Sequence, residues 1–175
     1  TQAIQDYPTS PRLGEAYIGK ANLLYTIEKY DEAIETYIDL IKTFSAASKS
    51  PDMIDKAMLG LAWTYLKKDD KTLAIETFND VIAKTQNKII KVSALTQIGD
   101  AYQDTGDLEK ALEAYDKILR DYPDTPYTDY AQYRQGVALL KLGKTKSAIL
   151  SFQILEKNFP ESKYQTDVCY YMGVA

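Results

Sequence analysis

Between Ala94 and Pro123 the apolar positions fall along one side of two successive segments. Ala94, Leu95, Ile98, Ala101 and Tyr102 share one face, and Leu108, Ala111, Leu112, Tyr115, Ile118 and Leu119 share another. Residues three and four apart stack on a helix, so each segment predicts an amphipathic α-helix. The link from Asp104 to Asp107 is short enough that the two helices must be antiparallel neighbours. Pro123 ends the second helix, because the residue before a proline is pushed out of the helical region. Thr125-Pro126 then predicts the next helix start, with threonine as N-cap and proline in the first helical position. Ser10-Pro11 and Ser50-Pro51 repeat that signal, and Ser162-Lys163 keeps only the cap.

This punctuation is periodic. "DYPDTP" from Asp121 and "NFPESK" from Asn158 lie 158 − 121 = 37 residues apart, and "DYPTSP" from Asp6 lies 121 − 6 = 115 residues earlier, three times 37 plus 4. Gly99, Gly136 and Gly173 are 37 apart, Ala62 precedes Gly99 by 37, and Ala21 precedes Ala62 by 41. Ala33, Ala74, Ala111 and Ala148 are separated by 41, 37 and 37, so the four extra residues fall in "SAASKSP", Ser45 to Pro51. One period shared by three markers predicts a helical repeat array. The expected units are 10–49 (with the insertion at 45–51), 50–87, 88–124 and 125–161; residues 1–9 read as the tail of a preceding second helix and 162–175 as the first helix of an unfinished fifth unit. Small residues at the repeated positions let helix backbones approach to about 8–10 Å. A glycine inside a helix costs roughly 1 kcal/mol relative to alanine, which that close packing must offset. The ends read as those of a fragment of a longer array without polar capping repeats. A partly uncovered apolar face is therefore expected around Cys169 and Met172, with self-association through it.

Composition narrows the chemistry. The 175 residues carry a net charge of -4, 45% hydrophobic residues and 26% charged residues, the balance of a folded chain. No basic stripe is present to neutralise a phosphate backbone, so nucleic acid is not an expected partner. No run approaches the roughly 18 apolar residues of a membrane span. Without histidine, Cys/His zinc sites and every nucleophile–histidine pairing are excluded. The single cysteine, Cys169, cannot form an internal disulfide. Acidic residues are scattered over helix surfaces, and Asp69, Asp70, Asp104 and Asp107 read as turn and cap residues. No catalytic, cofactor-binding or metal-binding residues are nominated, and the chain is not expected to be an enzyme.

The third unit resembles the tetratricopeptide repeat family, whose pattern runs aromatic-x2-Leu-Gly-x2-Tyr, then Ala-x3-aromatic, then Pro. It has Leu95-x2-Ile98-Gly99-x2-Tyr102, Ala111-x3-Tyr115 and Pro123. Ala33-x3-Tyr37, Ala74-x3-Phe78 and Ala148-x3-Phe152 match in the other units, whereas Lys20 and Gln135 replace the leucine before the small residue. The resemblance covers essentially the whole chain. It implies an all-α fold, a right-handed α-α superhelix (solenoid) of antiparallel helix pairs. It also implies a non-catalytic scaffold that binds a protein or peptide segment in its concave groove. The alternatives are an accessory segment of a longer enzyme or regulator, such as a cell-wall enzyme, and an envelope assembly component acting through its convex face or ends. The 37-residue unit is similar to that of bacterial envelope members of the family, which directs the expected location to periplasm or cell envelope over cytoplasm.

In the family the first helix of each unit lines the groove. Carried over by register, the candidate contacts are Ile18, Asn22 and Tyr25 in the first unit and Leu59, Trp63, Leu66 and Lys67 in the second. The third gives Thr96, Asp100 and Gln103, the fourth Tyr130, Tyr133, Val137 and Leu140, and Tyr170 continues the line. The family's clamp for chaperone tails needs a lysine four residues before an asparagine; Ile18 precedes Asn22 at that spacing, so no such tail is expected. Tyr17, Tyr37, Tyr65, Tyr102 and Tyr115 fall at packing positions, and Tyr7, Tyr122 and Phe159 before the handover prolines read as packing between repeats. Trp63 and Tyr133 are the aromatics weighed as ligand contacts.

Overall fold

The computed structural model describes residues 11–45 and 51–174. Over these the chain is all-α, with helices α1 (Pro11–Thr26), α2 (Tyr30–Ser45), α3 (Pro51–Lys67), α4 (Lys71–Lys84), α5 (Lys88–Thr105), α6 (Leu108–Asp121), α7 (Thr128–Lys141), α8 (Thr145–Asn158) and α9 (Gln165–Val174). The expected helix tail at 1–9, the caps Ser10 and Ser50, and most of the insertion lie outside the described residues. The chain divides into two compact units, Thr1–Ile90 and Lys91–Ala175. In unit 1, α1 packs on α2 and α3, and α3 on α4; in unit 2, α6 packs on α7, α7 on α8, and α8 on α9.

The short links close by one device. After α1, Glu28 N–H bonds to Tyr25 C=O and Lys29 N–H to Leu24 C=O; the same two bonds follow α3 at Asp69 and Asp70, α5 at Gly106 and Asp107, and α7 at Gly143 and Lys144. This is the Schellman pattern, which ends a helix through one left-handed residue. That residue is Glu28 (φ 61°), Asp69 (φ 63°), Gly106 (φ 84°) or Gly143 (φ 72°). A side chain in this region is strained, for glutamate more than for aspartate. Glu28→Gly is therefore expected to stabilise unit 1 by about 0.5–1 kcal/mol, and Asp69→Gly by less. Thermal unfolding of the two single variants measures this; loss of stability in Glu28→Gly would show that the turn is not strained.

Each core is built where the aromatic of a second helix meets a small residue of a first helix. In unit 2 a Cβ on Gly99 would lie 2.6 Å from the Tyr115 ring, and one on Gly136 2.3 Å from the Phe152 ring. In unit 1, Leu13 and Ala21 of α1, Tyr37, Leu40 and Phe44 of α2, and Met53, Ala57 and Leu61 of α3 form one buried cluster. A Cβ on Gly60 would lie 2.5 Å from the Tyr37 ring, so α3 approaches α2 there as closely as a side-chain-free position allows.

Helix starts differ in places from the sequence reading. Pro11 and Pro51 do open α1 and α3. Thr125-Pro126, however, lies in a turn and α7 starts at Thr128. The Thr128 hydroxyl reaches the carbonyls of Tyr122 (3.2 Å) and Thr125 (2.9 Å), fixing a turn that the proline begins but does not convert to helix. Asn87 caps α5, its side-chain oxygen accepting from the N–H groups of Ile89 (2.9 Å) and Ile90 (3.2 Å). Asp70 caps α4 through Leu73 N–H at 3.1 Å. Asp55 departs from the expectation that acidic residues sit on solvated faces: it is buried and accepts a hydrogen bond from the Thr85 hydroxyl.

Candidate functional site

The position that faces ligand in the family falls at Asn22, Trp63, Asp100 and Val137, and the core aromatic fifteen residues later is Tyr37, Phe78, Tyr115 and Phe152. The two series are matched. Tyr37 donates its hydroxyl to Asn22 Oδ1 at 2.5 Å, and Tyr115 donates to Asp100 Oδ1 at 2.7 Å. Phe78 and Phe152 have no hydroxyl, and the facing residues are the largely apolar Trp63 and Val137. A buried hydroxyl requires a partner, so the polarity of this face is set in part by the core beneath it.

In unit 2 that requirement builds a polar network. Asp100 accepts from Tyr115 through Oδ1 and from Tyr130 (2.9 Å) through Oδ2, and forms an ion pair with Arg134 Nε at 3.1 Å. Arg134 Nε also donates to Gln103 Oε1 at 3.0 Å, and its guanidinium lies over the Tyr130 ring, 5.7 Å from the centroid. Burial raises the Asp100 carboxyl above its ordinary value, while Arg134 and the two tyrosine hydroxyls pull it back. Burial and the adjacent Asp100 charge push the Tyr115 and Tyr130 hydroxyls well above the ordinary phenol range. Burial works against the Arg134 charge, yet Asp100 and the two tyrosines more than offset it and hold the guanidinium above its ordinary value. Above this network lies a concavity of about 320 Å³ lined by Thr96, Gln97, Asp100, Pro126, Tyr127, Asp129, Tyr130, Lys163 and Tyr164.

Farther along unit 2 the aromatics engage one another. Tyr133 stacks on Tyr164 with centroids 4.9 Å apart and planes 6° from parallel, and Phe152 stacks on Tyr171 at 5.9 Å. Burial, and then Tyr171, push the Tyr133 hydroxyl up to about 12. Tyr133 and Leu140 pack against the cluster of Val137, Ala148, Phe152, Leu155 and Val168. Tyr133 thus has an intramolecular role that the register did not suggest.

Unit 1 offers a different surface. Asn22, Tyr25, Tyr37, Gly60 and Trp63 enclose a concavity of about 260 Å³. Trp63 is half-buried, its ring meeting Phe78 edge to face at 6.2 Å, and Tyr25 meets Tyr30 in the same way at 5.9 Å. Burial, and then Tyr25, push the Tyr37 hydroxyl up to about 12. No hydrogen bond joins the Trp63 indole N–H or the Tyr25 hydroxyl to another described residue.

The structure thus brings together Asn22, Tyr25 and Trp63 in unit 1, and Thr96, Asp100 and Tyr130 in unit 2. Of the other candidates, Ile18 is packed against the unit 1 core, Leu59 and Leu66 are half-buried, and Lys67 is exposed. Gln103 and Val137 are buried, at 4% and 8% exposure, and offer almost no surface to a ligand; Thr96, although it borders the unit 2 concavity, is itself only 2% exposed. Tyr170 is 68% exposed on α9, Cys169 is exposed, and Met172 packs against the unit 2 cluster. Sequence register did not nominate Gly60, Tyr37 or Arg134. Gly60 could have been found as a helical glycine outside the repeated small-residue column. Among the described residues no group of three or more acidic or cysteine side chains is arranged to hold a metal, and no helix is long and apolar enough to cross a membrane.

Helix pairs repeated in register, with Tyr115 seated on Gly99 and Phe152 on Gly136 of the preceding helix and Tyr37 against Gly60 of the following one, define a helical-repeat solenoid. The chain matches the tetratricopeptide repeat over residues 18–88 and 96–163, and it belongs to that family. No curated protein matches it. It is similar to a kinesin light chain of nearly identical TPR-like repeats from Podosopora anserina (14% identity over 95% of this chain and 84% of that one, TM-score 0.71). It is also similar to YrrB, described as a TPR protein with an unusual peptide-binding site (18% identity, 99% and 79% covered, TM-score 0.69). A third likeness is to a tetratricopeptide repeat protein from Parabacteroides merdae ATCC 43184 (17% identity, 98% and 64% covered, TM-score 0.69). At these identities the likeness is one of fold.

Proposed function

We propose that the chain is a non-catalytic scaffold for protein–protein interaction, and that it holds a peptide or protein segment against Trp63, Tyr25 and Asn22. Trp63 carries this reading. Its facing aromatic, Phe78, needs no hydrogen-bond partner, so the indole is not consumed by the core as Asp100 is. It remains half-buried in a concavity with its N–H unused among the described residues. A large ring with an apolar body and a free polar edge is the side chain most enriched at binding hot spots. The peptide-binding site described for YrrB, a protein of the same fold, agrees with the proposal.

The test is cross-linked capture from extract with the native chain and a Trp63→Ala variant that circular dichroism shows to be folded. Partners held by the native chain should be lost, or weakened by about tenfold or more, in the variant. Equal retention would place contact on another surface. The candidate there is the exposed side of α8, where Leu150 and Ile154, one turn apart, are 58% and 37% exposed. Among the described residues, self-association through α9 would use the exposed Tyr170 and Cys169, since Met172 packs against the unit 2 cluster.

A further inference from the structure

Three of the four second helices show solvent a charged pair at one row, and α8 does not. One register reads Glu35, Glu76, Glu113 and then Leu150; the register four residues on reads Asp39, Asp80, Lys117 and then Ile154, each with the spacing 41, 37 and 37. All eight positions are exposed, so solvent faces this row in every unit and the change at α8 is one of chemistry, not of packing. Leu150 and Ile154 are bracketed on the same stripe by Lys146, four residues before, and Lys157, three after. Both lysines are exposed, and neither is ion-paired among the described residues. Glu156, the one acid of α8, is half-buried and accepts from Cys169 Sγ of α9 at 3.9 Å. In a chain of net charge -4, this row is apolar at its centre and basic at both ends.

We propose that this side of α8 docks an acidic amphipathic helix of a partner protein, at a surface separate from the Trp63 concavity. The mid-helix backbone groups of α8 are bonded to one another, so an extended segment would find no ladder to join, whereas a helix arrives with its own backbone bonds made. An apolar pair one turn apart on the partner fits between Leu150 and Ile154 at an interaxial distance of about 8–10 Å. Lys146 and Lys157 are 157 − 146 = 11 residues apart, about 16 Å along the axis, so the matching carboxylates stand about three turns apart on the partner. A second copy of this chain fits less well. Two α8 helices paired about a two-fold axis set lysine against lysine at both ends, and the acidic rows of α2 and α4 hold no apolar pair. A lipid surface needs a whole apolar helix face, and in α8 Ala148, Phe152 and Leu155 are already buried in the core.

The probes are dye-labelled, capped, alanine-based helical peptides with two leucines one turn apart. One carries glutamates about three turns apart on the same face, and the other carries lysines in their place. Fluorescence anisotropy with the native chain is expected to give saturable binding of the glutamate peptide, at least about tenfold tighter than the lysine peptide, because two ion pairs replace two like-charge contacts. Leu150→Glu with Ile154→Lys gives α8 the pair that α6 already carries at Glu113 and Lys117. That variant should fold, as circular dichroism checks, and bind the glutamate peptide at least about tenfold more weakly. Lys146→Glu with Lys157→Glu should turn the preference toward the lysine peptide. Equal affinity for the two peptides, no binding of either, or binding unchanged by Leu150→Glu with Ile154→Lys would overturn the inference. So would co-sedimentation with phosphatidylglycerol vesicles, or a dimer in light scattering, that the same double variant abolishes, since a lipid or a second copy would then occupy the row. The double variant leaves every residue of the Trp63 concavity in place, so failure here and failure of the proposed function are told apart.

Discussion

Tyr115→Ala should destabilise unit 2 by about 3–5 kcal/mol, the loss of a wholly buried aromatic. The ring is 0% exposed and fills the notch that Gly99 leaves open. Its hydroxyl is also one of two tyrosine donors to Asp100. Tyr115→Phe isolates that second part: the ring stays, a donor is removed from a buried carboxylate, and the loss should be about 1–3 kcal/mol. Gly99 gives an internal control. In the native chain Gly99→Ala puts a methyl 2.6 Å from the ring and must destabilise. With Tyr115→Ala that obstacle is gone, and the same change should stabilise by up to about 1 kcal/mol, because alanine is the better helix former. Urea unfolding followed by circular dichroism, on the four chains of this cycle, measures the reversal of sign. If Gly99→Ala destabilised both backgrounds equally, the ring would not be what occupies the notch.

The period, the helix pairs and their antiparallel links were legible in the sequence because they follow from residues close together along the chain. Asp69 and Asp70 were legible as turn and cap residues for the same reason: Asp69 takes the left-handed position of its turn and Asp70 caps α4. The Schellman closures at Glu28, Gly106 and Gly143 were not part of that reading, and of these residues glutamate least announces a left-handed backbone. The proline at Pro126 misled the reading because Thr128, two residues on, supplies a better hydrogen-bonded start. The site was less visible. Register placed Asp100 on a ligand-facing row, and the core claims it through Tyr115; only pairing each facing residue with the aromatic fifteen positions later separates Trp63, which has no such duty, from Asn22 and Asp100. Arg134 was out of reach, because its partner Asp100 lies 134 − 100 = 34 residues earlier, in another helix pair.

Arg134→Leu should cost about 2–4 kcal/mol at neutral pH and make the stability of unit 2 depend more steeply on pH. The Asp100 and Arg134 side chains are only 20% and 22% exposed, and removing one member of a buried pair leaves the other charge desolvated without its counterion. The sign of the pH dependence follows from Asp100. Burial raises its folded-state pKa above the unfolded value of 3.8, so between the two values the folded state binds more protons than the unfolded state. Stability therefore falls as pH rises through that window and reaches its lower plateau above the folded pKa. Arg134 is the strongest of the groups that oppose the rise. Its loss carries the folded pKa farther up, widening the window and deepening the fall. Asp100→Asn in the Arg134→Leu background removes the charge while keeping an acceptor for the Tyr115 and Tyr130 hydroxyls, so it should recover much of the lost stability and flatten the pH profile. Urea unfolding of the native, single-variant and double-variant chains from acid to neutral pH tests this. Parallel pH profiles for the native and Arg134→Leu chains would show that the guanidinium does not hold the Asp100 charge, and would remove the ion pair from the account of why this part of the face is polar.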